Sequence, residues 1–243
     1  MRWLSLFCFL FLSVLLRAEQ LPEMRPALVG RGPRSLVNMI NTERLMKRGQ
    51  KDAMIMFAAP VGSNGQCPVI FLYRGTPDSD ALADEVMRCT DNNNVAFIPA
   101  VYNYQRHSAW VSGTIIYRVK EGKPHLRLFL NQESNRILRG EDFIAPQPVW
   151  LDDGKHQYYN YPAPGYSATV VLRITVDAVG KLQKQELVFE TPKGKGFARM
   201  WMSHLPEETF LPGYLNGKPI ACSANFQIIS VSAGKHILHW KPD

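Results

Sequence analysis

Side chains able to do chemistry are spread through this sequence, and few of them stand at spacings that chemistry requires. Of six histidines, only His236-Ile-Leu-His239 forms a close pair. On a strand, positions i and i+3 point to opposite faces, so this pair makes a poor metal clamp. Beyond Cys8, cysteines stand at 67, 89 and 222 with no Cys-x-x-Cys spacing, so neither a zinc ribbon nor a redox pair is indicated. Cys67 and Cys222 fall where small buried hydrophobes are expected. A Cys67–Cys89 disulfide between strand and helix stays open, because export would permit it. Asp78, Asp80, Asp84 and Glu85 crowd the first turns of an expected helix, where the helix dipole favours negative charge. Asp152-Asp153-Gly154 lacks the further acidic ligands of a calcium loop. Gly194-Lys-Gly196 precedes a helix but follows no parallel-strand pattern, and no Gly-x-Ser-x-Gly occurs. No catalytic, cofactor-binding or metal-binding residue is assigned, and an enzyme is not expected. The alternative is an enzyme built on the aromatic-rich segment 132–166, with Asp152, Asp153 and His156 as its groups.

The elements that would have to position any site begin after residue 18. Arg2, a 14-residue apolar run from Trp3 to Leu16, and Arg17-Ala18 read as a signal peptide (residues 1–18), since a spanning helix needs ~18 or more apolar residues. The expected location is therefore periplasmic or otherwise exported, with membrane contact only if that segment is retained. Its removal takes Arg2 and Arg17 from 28 basic residues, leaving 26 against 21 acidic and a net charge of +5. No Lys/Arg stripe interleaved with aromatics appears, so nucleic acid is not an expected partner. Three cysteines in the remaining chain are too few for a disulfide scaffold.

Residues 19–52 read as a linker: a Pro- and Gly-broken, poorly ordered lead-in to residue 32, then a short basic helix from Ser35 to Lys47. From residue 53 the chain states one pattern twice. Ile55, Phe57 and Ala59 alternate along a strand, as do Val170, Leu172, Ile174 and Val176. Gly65 pairs with Gly180 and Thr76-Pro77 with Thr191-Pro192 at an offset of 115, and Phe97, Pro99, Asn103 and Ile115 pair with Phe210, Pro212, Asn216 and Ile228 at 113. A duplication follows. Each copy reads as ββαββ, which makes the class α+β, with an antiparallel sheet and one packed helix per unit. The units span 53–131 and 167–243, joined by a Pro/Tyr-rich connector, 132–166.

The second copy carries Val171-Leu-Arg-Ile-Thr-Val-Asp-Ala-Val-Gly-Lys-Leu182 and Phe210-Leu-Pro-Gly-Tyr-Leu-Asn-Gly-Lys-Pro-Ile220. These resemble the strand ending in Val-Asp-x-x-Gly, the Phe-x-Pro turn and the Asn-Gly-Lys-Pro strand entry of the TonB C-terminal domain family, clearest over residues 168–230. The resemblance implies two tandem TonB C-terminal-like units. It also implies an exported, non-enzymatic interaction module of a Gram-negative-type envelope, with a protein partner such as an outer-membrane protein. The family's long Pro-rich spacer is missing: about 35 residues lie between residue 18 and the first unit, ~120 Å only if fully stretched at ~3.5 Å each. Partner binding is expected by strand addition to an open sheet edge. The expected contact residues are Tyr161 and Pro162, where the family's receptor-contacting segment ends in Tyr-Pro, and the last strand His236, Ile237, Leu238, His239 and Trp240. Pro124–Asn131 is the other candidate edge. A structural envelope protein without transducer work is the alternative of a different class.

Overall fold

The computed structural model describes residues 21–91, 95–150 and 167–230. The lead-in forms β1 (Met24–Arg25), β2 (Leu28–Val29), α1 (Leu36–Met39) and α2 (Thr42–Lys47). The first unit contains β3 (Ala53–Val61), β4 (Phe71–Gly75), α3 (Asp80–Thr90), β5 (Phe97–Ile98), β6 (Ala100–Tyr102), β7 (Gln105–Lys120) and β8 (Lys123–Phe129). The connector supplies α4 (Glu133–Arg139) and β9 (Gln147–Trp150). The second unit follows as β10 (Ala168–Val176), β11 (Leu182–Thr191), α5 (Phe197–His204), β12 (Thr209–Leu211), β13 (Gly213–Leu215), β14 (Lys218–Ile220) and β15 (Cys222–Ser230). The fold is mixed α and β, with every strand pairing antiparallel.

The two units pair their strands in the same register. Ile55 faces Ile115 across β3 and β7, and Val170 faces Ile228 across β10 and β15, positions related by the offsets 115 and 113. A register shift falls between Met56 and Phe57 against β4, and another between Val171 and Leu172 against β11. Each marks a β-bulge, and the two occupy equivalent positions. Gly65 and Gly180, both at positive φ, press against the carbonyls of Phe97 and Phe210, where a Cβ would overlap the backbone. Only glycine fits that approach. Asn103-Tyr104 and Asn216-Gly217 hold positive φ at both central positions of the equivalent hairpin turns.

Two cores result. Ile55, Phe57, Ala59 and Val61 of β3 bury against Leu82 and Val86 of α3, together with Leu36, Ile40 and Leu45 from the lead-in. The opposite face of the same strand, Met56 and Ala58, joins Tyr73, Trp110 and Trp150 in a second core with Val170, Leu172, Phe197, Trp201 and Phe210. β3 therefore carries apolar residues on both faces because it is covered on both, each fully buried large side chain contributing roughly 1.5–3 kcal/mol.

Several expectations change. The lead-in is not a loose tether. β1 pairs with β6 and β2 with β5, and buried Gln147 accepts a hydrogen bond from the Ala27 N–H at 2.7 Å while donating to the Ala27 carbonyl at 3.0 Å. The single helix from Ser35 breaks at Ile40 and Asn41, because the Asn41 side chain accepts from the Arg44 N–H at 2.8 Å and starts a new helix. Ser79 stands at the N-cap of α3 without a capping side-chain bond. The connector holds a helix, α4, that no periodicity announced. It also holds β9, which pairs with β7 (Ala109↔Val149) and with β12 (Phe210↔Pro148), so one sheet runs from the first unit into the second.

Candidate functional site

The residues with chemical potential are occupied structurally. Glu85, 2% exposed, accepts from the Asn41 N–H at 2.9 Å, from Arg88 at 2.6 and 3.1 Å and from Arg44 at 3.4 Å. Burial raises its pKa, but the Arg88 and Asn41 hydrogen bonds and the Arg88 and Arg44 charges outweigh that and hold the carboxyl below its ordinary range. Asp84 pairs with Arg48 at 2.7 Å. The acidic start of α3 is thus the dock for α2. Cys67, Cys89 and Cys222 are separate buried thiols. Burial pushes Cys67 up to about 12 and Cys89 up to about 11, which makes both unreactive near neutrality. The open question of a Cys67–Cys89 bridge is answered by two free thiols.

Tyr161, Pro162, His236, Ile237, Leu238, His239 and Trp240 lie outside the described residues, as do Asp152, Asp153 and His156. The other predicted edge, Pro124–Asn131, corresponds to β8, which pairs with β7 alone among the described strands.

An edge that the sequence reading passed over is β11. Among the described strands this ten-residue strand pairs only with β10. Its side chains do not follow those of its counterpart in the first unit. Leu72 and Tyr73 on β4 are each 5% exposed, one in each core, whereas the equivalent Leu187 and Val188 are 48% and 47% exposed. These two residues sit at the bulge, where Leu187 faces Leu172 and Phe189 faces Val171, leaving Val188 unmatched. Beside them a small cleft of about 90 Å³ is lined by Val171, Phe189, Thr169 and Gln227 of the second unit and by Tyr73 and Arg74 of the first. The signal was present in the sequence as Leu187-Val188-Phe189, three apolar residues in a row after the polar run Gln183-Lys-Gln-Glu186. Such a run breaks the period-two rule and marks either a bulge or a covered edge.

The arrangement offers main-chain hydrogen-bonding groups along one strand, an apolar pair at its middle and a shallow cleft beside it. No family model, curated protein or solved structure matches the chain.

Proposed function

We propose that this protein is an exported, non-enzymatic interaction module of the cell envelope that captures an extended protein segment along β11, on the side away from β10. The reading includes two tandem TonB C-terminal-like units and an envelope protein as partner. The observation that carries it is the contrast between Leu72 and Tyr73, covered in the first unit, and Leu187 and Val188, left half in water at equivalent places in the second. An added strand would pair with the main chain of β11 on the side away from β10 and cover both side chains. Gln183, Lys184 and Glu186 keep the edge soluble until a partner arrives.

A photo-cross-linking residue at Val188, in cells carrying the full chain, is expected to trap a discrete protein adduct. The same residue at Glu121, in the exposed turn between β7 and β8, is the control. Adducts at both positions alike, or at neither, would sink the reading. β9 favours a second reading: a strand tying the two sheets together suits a structural envelope protein without transducer activity. Cells that tolerate Val188→Lys but not disruption of β9 would favour that reading.

A further inference from the structure

The face of β7 and β8 turned away from the first core carries an unusual concentration of positive charge. Across these strands Ile116 lies opposite Arg127, Arg118 opposite His125, and Lys120 opposite Lys123. Cross-strand partners share a face of the sheet. The other face of the same ribbon is apolar, with Ile115 opposite Leu128 and Tyr117 opposite Leu126. Like charges directly opposite one another destabilise a strand pair, and here two successive cross-strand pairs are both basic.

These side chains surround a cleft of about 270 Å³ whose lining includes Arg118, Lys120, His125, Arg127, Arg136 and Glu141. Its floor is apolar: Ile116 and Phe129 are buried at 8% and 7% exposure. The Phe129 ring lies under two guanidinium groups, Arg127 at 5.2 Å and Arg136 at 5.8 Å. Both of those arginines are fixed by carboxylates. Arg127 makes a paired contact with Glu141 at 2.9 and 2.5 Å, and Arg136 one with Glu133 at 2.7 and 2.6 Å. The cleft therefore has one end where charge is balanced and another formed by Arg118, Lys120 and His125, with Lys123 opposite Lys120 beside it. Counting Arg118, Lys120, Arg127 and Arg136 of the lining, with the neighbouring Lys123, against Glu133 and Glu141 leaves three positive charges in excess.

We propose that this cleft binds a multiply charged oxyanion of the phosphate type, held by Arg118 and Lys120 of its lining with His125 and the neighbouring Lys123 as further donors. The group recognised is a phosphomonoester or pyrophosphate. A carboxylate carries a single charge and would leave most of the excess uncompensated, whereas a dianion or trianion relieves both opposed basic pairs at once. Arg118 supplies the planar fork and the lysines supply mobile point charges. This site is separate from the β11 edge and does not depend on it.

The test titrates the full chain with sodium pyrophosphate by calorimetry, and with phosphatidic acid in phosphatidylcholine vesicles by flotation, in wild type and in the Arg118→Ala/Lys120→Ala variant. Both substituted residues are exposed and are not expected to disturb folding, which circular dichroism checks. Lys184→Ala on β11 is the control for general charge loss. The expected result is binding that weakens at least tenfold in the double variant and is unchanged in Lys184→Ala. Binding to pyrophosphate assigns a free phosphate ligand, and binding to vesicles alone assigns a lipid phosphate. Binding of neither probe, or equal weakening in the Lys184→Ala control, overturns the proposal.

Discussion

The Phe57 ring occupies the space that a side chain on Gly113 would need. A Cβ at Gly113 would stand 2.5 Å from Cε1 and Cζ of that ring and 2.6 Å from the Phe129 carbonyl oxygen. The two residues face each other across β3 and β7, and their equivalents in the second unit, Leu172 and Phe226, face each other across β10 and β15. The large ring comes from β3 in one unit and from β15 in the other.

Gly113→Ala is therefore expected to destabilise by about 1–3 kcal/mol through overpacking. Adding Phe57→Leu, which supplies the residue found at position 172, should recover part of that loss. The Phe129 carbonyl limits the recovery. Urea unfolding of both single variants and the double closes the cycle. Simple additivity would show that the ring is not what Gly113 accommodates.

Gln147 serves Ala27 as a neighbouring strand would, taking its N–H and giving to its carbonyl in a fully buried setting. Gln147→Ala strands both backbone groups, at roughly 1–3 kcal/mol for each unsatisfied group. The measurable consequence is release of the lead-in. Limited trypsin digestion should cut the variant at Arg31 and Arg34 well before the wild type.

Glu85 gives the protein an acid-sensitive joint. Its carboxyl is held below the ordinary range in the folded state, so its contribution is complete above the unfolded pKa. That contribution is lost as pH falls through the folded value. Unfolding midpoints measured from neutral pH downward should decline in the acid range for the wild type, and Glu85→Gln should flatten part of the decline. At neutral pH the same substitution is expected to cost about 1.5–3 kcal/mol, the worth of hydrogen bonds to a charged group. A variant with an unaltered acid profile would remove Glu85 from this role.

Leu72 and Leu187 are equivalent by register yet differ in burial, and their truncations should differ accordingly. Leu72→Ala is expected to cost about 2–5 kcal/mol by cavity formation, and Leu187→Ala at most about 1 kcal/mol. Thermal melts of the two variants side by side measure the gap. Equal losses would mean that β11 is covered in solution.

Much of the local plan was legible in the residues. The apolar alternation of Val170, Leu172, Ile174 and Val176, the glycines at 65 and 180 and the Asn103 and Asn216 turns each obey a short-range rule. A strand's period or a positive φ is set by neighbours in sequence, and the shared offsets of 115 and 113 reappear as shared registers. What stood on long-range contacts was not legible. Nothing near Gln147 announces that it will meet Ala27, and the apolar runs Phe71-Leu-Tyr73 and Leu187-Val-Phe189 announce a bulge in both strands without saying which is covered.

By itself the sequence determined two copies of one hydrophobic grammar and an absence of grouped catalytic side chains. The tertiary structure decided the rest. It folded the lead-in onto β5 and β6, and it threaded β9 between the units. It also brought the bases of β7 and β8 onto one face and buried β4 while leaving β11 in water. The physical reason is that burial and charge density belong to surfaces assembled from distant segments, and two segments of like pattern acquire different environments according to what packs over them.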